Sequence, residues 1–205
     1  MGKELKAAFI LSLFTVLFFL SGESSPLRAL EREGNISIHI ILDRSLSMEG
    51  DIGQAKRFIE DDIIRQLLIP GDSITLIEFY KSPATVFSKT ISSEQDQMSI
   101  ISELDLIEAD GPYTDIGRAL DFYVENTLAS EENPRTHTIL LSDLKQEAPA
   151  GSPYAGTVEN YSHPHLTPKK EMRQNGWRIL IIGPEIEEQA ERIAREVVSV
   201  RPEAE

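Results

Sequence analysis

Three oxygen-bearing side chains recur at alternate positions in Asp43-Arg44-Ser45-Leu46-Ser47, directly after the strand-like run Ile36 to Leu42. In a loop leaving an extended strand, that spacing turns Asp43, Ser45 and Ser47 toward one point. Arg44 and Leu46 then face away, Leu46 into packing. Two further residues stand at element boundaries. Thr114 lies in Asp110-Gly111-Pro112-Tyr113-Thr114-Asp115, just before a helical pattern, and Asp143 follows the apolar run Thr138-Ile139-Leu140-Leu141. Two carboxylates and three hydroxyls make a hard, all-oxygen set that suits Mg2+, Mn2+ or Ca2+ and not zinc. Hydroxyls are weak donors, so an ion held by them keeps much of its charge and favours an outside carboxylate as a further ligand. The chemistry expected is recognition of an Asp or Glu on a partner protein.

Asp and Ser also favour helix caps and turns, and the five-residue pattern taken alone reads that way. The ordered recurrence of Thr114 and Asp143 at two more boundaries favours the metal set. Asp115 is expected to cap the helix that follows it. A metal-dependent hydrolase using a metal-bound water is the alternative reading, and a metal-free scaffold in a cell-envelope complex is another. Against hydrolysis, only Glu147 offers a candidate base and nothing resembles a Ser-His-Asp arrangement. The chain is expected not to be an enzyme.

The elements that must position these residues follow from periodicity. Apolar residues at Ala55, Phe58, Ile59, Ile63, Ile64, Leu67 and Leu68 predict a helix over 54–68, closed by Pro70-Gly71. Ile74 to Phe79 and Thr85 to Ile91 predict an antiparallel hairpin. Helices are expected over 94–106 and 116–128, then a buried strand ending at Ser142-Asp143. Trp177 to Ile182 predicts another buried strand, with Trp177 in the core, and 185–198 a closing amphipathic helix. Strands apolar on both faces, alternating with helices, imply an α/β fold: a doubly wound, mostly parallel central sheet with one antiparallel edge strand and helices on both faces. In such sheets ligands bind beyond the carboxyl ends of the strands, where the strand order reverses.

The sequence has 205 residues, no cysteine and a formal net charge of -14. The missing cysteines exclude disulfides, thiolate metal sites and cysteine nucleophiles. The acidic balance argues against nucleic-acid binding. Lys3 and Lys6 precede an apolar run, Ala7 to Leu20, followed by Ser21, Gly22, Ser24 and Ser25. This predicts a signal peptide over 1–24, with an uncleaved anchor as the alternative. Residues 25–34 read as a linker and 35–200 as the domain, carrying a long loop insertion at about 145–170. Export to the periplasm or the extracellular space is expected, with no membrane span in the mature chain unless the signal is retained. The insertion leaves the same strand end as Asp143 and should lie near the metal face. Its His163 and His165 read as exposed loop residues.

Asp43-Arg44-Ser45-Leu46-Ser47, Thr114 with the following Asp115-Ile116-Gly117-Arg118-Ala119-Leu120, and Asp143 together resemble the metal-ion-dependent adhesion site of von Willebrand factor type A domains. The same domain occurs as the inserted domain of integrins. The resemblance covers about residues 35–198. It implies a Rossmann-like sheet, direct ligation by Ser45 and Ser47, ligation by Thr114 directly or through water, and action of Asp43 and Asp143 largely through water. Three departures stand out. Leu144 follows Asp143 where the family usually has glycine, the chain stops soon after its last helix, and the insertion is unusually long.

Overall fold

The computed structural model describes residues 34–132, 135–158, 161 and 163, and the backbone of the strand Arg178–Ile182. The expected signal peptide, the linker up to residue 33, Trp177, His165 and the closing helix lie outside the described residues. The strands are β1 (Ser37–Asp43), β2 (Ser73–Phe79), β3 (Ala84–Thr90), β4 (Thr136–Leu141), β5 (Gln146–Ala148), β6 (Gly156–Val158) and β7 (Arg178–Ile182). The main sheet runs β3-β2-β1-β4-β7. Strand β1 pairs parallel with β2 and β4, and β4 with β7, while β3 is the antiparallel edge beside β2. The expected architecture is therefore the one observed.

Every residue of β1 is buried, as a central strand covered on both faces requires. Ile38, Ile40 and Leu42 pack on one face with Leu76, Ile139 and the helices α1 (Ile52–Arg57, continued by Phe58–Arg65) and α2 (Glu94–Asp105). Ile41, Ile77, Phe79 and Leu140 pack on the other against Ile116, Ala119, Leu120 and Tyr123 of α3 (Ile116–Asn126). Helix α2 is opened by a Ser93/Asp96 capping box.

Helix α1 departs from regular geometry. It starts as an α-helix, Ile52–Arg57, and continues as a π-helix, Phe58–Arg65. The apolar pairs Phe58-Ile59 and Ile63-Ile64 stand five residues apart, and all four side chains are buried. A turn closed at i→i+5 keeps both pairs on the sheet side, which a regular helix would rotate apart.

Strand β1 goes to β2 on one side and finds β4 on the other. The strand order thus reverses between β1 and β4. Their carboxyl ends carry Asp43 and the Ser142-Asp143 pair.

Candidate functional site

Strand β1 delivers Asp43 to that crevice fully buried. Its Oδ1 accepts the Ser45 N–H at 2.9 Å, and its Oδ2 accepts the Ser142 hydroxyl at 2.7 Å. Ser142 therefore ties β4 to β1 across the switch point. Burial pushes the Asp43 carboxyl up to about 6, against the pull of the Ser142 and Ser45 hydrogen bonds, and the neighbouring Asp143 charge adds to the rise.

Beyond Asp43 the chain tightens into a 3-10 turn, Leu46–Met48, with Ser45 extended just before it. The Ser45 and Ser47 hydroxyl oxygens stand 3.0 Å apart. Neighbouring oxygen ligands of an octahedral ion with bonds of about 2.1 Å are also separated by about 3 Å, so the pair fits a hard divalent cation. Leu46 is not packed as expected but 54% exposed. The strand alternation that would turn it inward stops where the 3-10 turn begins. Arg44 does face away, and it braces the rim. Its guanidinium donates to both Glu78 oxygens at 3.0 and 3.1 Å, pairs with Asp110 and lies 5.4 Å over the Tyr80 ring.

Thr114 is buried, and its loop is laced to the ends of β1 and β2. The Gly111 N–H donates to the Arg44 carbonyl at 3.0 Å, the Leu46 N–H to the Gly111 carbonyl at 2.8 Å, and the Asp115 N–H to the Tyr80 carbonyl at 2.8 Å. Asp115 is the N-cap of α3, accepting the Arg118 N–H at 3.1 Å. The cap role therefore falls to Asp115 and not to Thr114.

Asp143 lies two residues beyond β4. Its Oδ1 accepts the Lys145 N–H at 3.1 Å. Its Oδ2 lies 3.2 Å from Lys145 Nζ, but this buried oxygen receives no hydrogen bond. The Lys145 ammonium is the positive partner of this carboxylate in the structure. Among the described residues no group of three or more His, Cys, Asp or Glu could hold a metal. Ligation here would depend on the hydroxyls.

Leu144 has φ 59°, a left-handed backbone that favours glycine. This accounts for glycine at the corresponding family position. Leu144 holds the conformation while packing against the α3 face of the core. Leu144→Val is expected to cost about 2 kcal/mol or more, because a β-branched residue at positive φ is a steric outlier. Leu144→Gly should cost less than about 1 kcal/mol, with relieved strain offsetting lost packing. Urea denaturation of the two variants measures the difference, and equal costs would contradict a strained Leu144.

The insertion is not wholly irregular. Strands β5 and β6 form an antiparallel hairpin, and Glu147 of β5 bridges Thr114. Among the described residues, this part of the insertion lies against Thr114. His163 is buried, against the expectation of exposure, because it packs edge-on to Tyr154 with ring centroids 5.2 Å apart. Three residues that sequence reasoning missed, Arg44, Ser142 and Gln146, hold the rim together. Only Ser142 carried a signal, as the polar neighbour of Asp143 at a strand end.

The family model described as von Willebrand factor type A domain matches residues 38–146, from β1 through the first residue of β5. The chain belongs to the von Willebrand factor type A domain family. An uncharacterized protein of Treponema pallidum (strain Nichols) is 33% identical over 197 residues, covering 95% of this chain and 86% of that relative. Among solved structures, this von Willebrand factor type A domain is similar to proximal thread matrix protein 1 from the mussel byssus in a form with a zinc-occupied metal-ion-dependent adhesion site. That match has a TM-score of 0.59 and 16% identity, covering 80% of this chain and 46% of the mussel protein. A von Willebrand factor type A protein from Catenulispora acidiphila gives a TM-score of 0.52 and 16% identity over 81% of this chain and 42% of that one. The chain spans less than half the length of both solved structures, and the likeness to them is one of fold.

Proposed function

We propose that this domain holds a divalent cation of the Mg2+, Mn2+ or Ca2+ type and uses it to grip an acidic residue of a partner protein. Ser45, Ser47 and Thr114 would be its hydroxyl ligands, with Asp43 and Asp143 behind them. The bound ion would supply an electrophilic centre that accepts an external carboxylate. The observation that carries the reading is the 3.0 Å pair of serine hydroxyls next to the buried Asp43 carboxylate, which feels the Asp143 charge, at the β1/β4 switch point.

Asp43 orients Ser45 through its N–H and anchors β4 through Ser142. Arg44 and Gly111 keep the Thr114 loop against the same rim. Leu46 and Tyr113, 54% and 40% exposed, flank Ser45, Ser47 and Thr114 in the chain and offer apolar surface beside the carboxylate position. A net charge of -14 would otherwise repel an acidic partner, so a local positive centre is what makes such recognition favourable. Glu147, the one candidate base, meets Thr114 through its main chain, and binding is favoured over catalysis.

The basic and apolar pattern of the first residues supports a signal peptide over 1–24 and export to the periplasm or beyond, and polar composition supports a linker over 25–34 before a domain over 35–200. Among the described residues no helix is long and apolar enough to cross a membrane. Isothermal titration of the full chain with Mg2+, Mn2+ and Ca2+ tests the metal reading. The expected result is one weak site, with Kd of about 10⁻⁴ to 10⁻³ M, that disappears in Asp43→Ala and in Ser45→Ala. Binding that survives both substitutions would place the ion elsewhere.

A further inference from the structure

Strand β5 has two neighbours. On one side β6 pairs with it, and on the other Glu147 forms an antiparallel bridge to Thr114. The Thr114 N–H donates to the Glu147 carbonyl at 3.1 Å, and the Glu147 N–H returns to the Thr114 carbonyl at 2.8 Å. The threonine loop is thereby the third strand of a miniature sheet built by the insertion. One residue earlier, Gln146 is fully buried. Its Oε1 accepts the Ile116 N–H at 2.8 Å, one of the orphan donors at the start of α3. Its Nε2 donates to Asp115 Oδ1 at 3.3 Å and to the Tyr154 carbonyl at 3.4 Å. One side chain therefore joins the cap of α3, the first turn of that helix and the far limb of the insertion.

The far limb is seated on the helix in its turn. A Cβ at Gly117 would stand 2.4 Å from Tyr154 Cγ and 2.6 Å from the Tyr161 hydroxyl, so both tyrosines occupy the notch that this glycine leaves. The Tyr154 hydroxyl donates to Asp121 Oδ2 at 2.6 Å, and His163 Nε2 lies 3.1 Å from that hydroxyl. The insertion thus grips both sides of Thr114: the main chain before α3 through Glu147 of the hairpin, and the helix itself through Tyr154, Tyr161 and His163.

We infer that the inserted hairpin is a clamp that fixes the Thr114 loop in one position, with Gln146 as its positioning residue. Held this way, the loop is set before any ligand arrives, and Thr114 has no need to move between a direct and a more distant position. Gln146 hydrogen-bonds to neither Ser45 nor Ser47 and acts through the Ile116 N–H, the Asp115 carboxylate and the Tyr154 carbonyl. The inference rests on the proposed role of Thr114 for its effect on metal affinity, but not for the clamp itself.

Amide hydrogen exchange of the full chain in EDTA, read at Thr114, Asp115 and Ile116, separates the two. Wild-type protein should show all three amides protected without metal. Gln146→Leu removes every hydrogen bond of the side chain, and Gln146→Glu keeps the acceptor for Ile116 while losing both donors. Gln146→Leu should speed exchange at Thr114 and Ile116 by about tenfold or more, the loss expected for a buried hydrogen bond. Gln146→Glu should speed Thr114 while sparing Ile116, a split that mere loss of packing would not give. Gly117→Ala, acting from the helix side, should speed Thr114 with Gln146 intact. In parallel titrations, Mn2+ affinity should fall by about fivefold to tenfold in all three variants. Unchanged exchange at Thr114 in Gln146→Glu and Gly117→Ala would overturn the clamp. A wild-type protein that binds no Mn2+ would remove the metal reading and leave the clamp to be decided by exchange alone.

Discussion

Asp43→Asn is expected to abolish divalent-cation binding while making the metal-free protein more stable at pH 7. The carboxyl is fully buried, and burial pushes it from its ordinary 3.8 up to about 6. The folded state therefore holds the Asp43 proton more tightly than the unfolded chain does. Its contribution to stability is complete below about pH 3.8 and is lost as pH rises through about 6, a change of about 3 kcal/mol. At pH 7 the metal-free fold carries that burden in full. An amide carries no such burden. The amide oxygen would still accept the Ser45 N–H, while the Ser142 hydroxyl can turn to accept from the new NH2 group. The variant should gain about 1 to 3 kcal/mol in EDTA. In about 10 mM Mg2+ the wild type should recover about 2 kcal/mol by mass action and the variant nothing. Urea titrations in the two buffers measure both effects. A variant less stable than wild type in EDTA would show that Asp43 is not a buried charge awaiting a cation.

Gly111→Ala should cost about 3 kcal/mol or more and remove metal binding with it. A Cβ at this position would stand 2.3 Å from Tyr80 Cβ and 2.5 Å from Tyr80 Cγ, close to the backbone, where neither partner can swing aside. Gly111 is also the residue whose N–H and carbonyl lace the Thr114 loop to Arg44 and Leu46. Relief of the clash must pull that loop from the rim or push Tyr80 out from under Arg44. For a domain of this size, a melting temperature lower by about 10 °C is expected. A Gly111→Ala protein that melts with the wild type would mean that the loop has slack and that the rim is not rigid.

Much of this fold was legible because its signals are local. The continuous apolar run of β1, the β2–β3 hairpin and the terminal position of Asp43 follow from neighbours a few residues apart. The alternation of Asp43, Ser45 and Ser47 likewise foretold the hydroxyl pair. Where the alternation ended was not legible. The 3-10 turn at Leu46 is set by a hydrogen bond to Gly111, which no local pattern marks, so Leu46 was expected inside and stands outside. The widening of α1 was readable in principle from the five-residue offset of Phe58-Ile59 and Ile63-Ile64, but seven apolar positions at roughly helical spacing concealed it.

Long-range partners were beyond reach. Ser142 meets Asp43 across 99 residues and Gln146 meets Ile116 across 30. A serine and a glutamine in such places look like any polar residues until topology brings their partners to them. The sequence alone suggests an exposed His163 for the same reason, since its burial depends on Tyr154 and Tyr161, which fill the gap that Gly117 leaves. Leu144 is different: its place after Asp143 was seen as a departure, and its φ of 59° supplies the cause.

Anomalous diffraction from crystals of the protein soaked in Mn2+ would locate the bound ion directly. One strong peak is expected at the carboxyl ends of β1 and β4, within ligation distance of Ser45 Oγ and Ser47 Oγ, and no such peak in Ser45→Ala crystals treated alike. A peak elsewhere, or none at this position in well-ordered wild-type crystals, would contradict the proposed metal site.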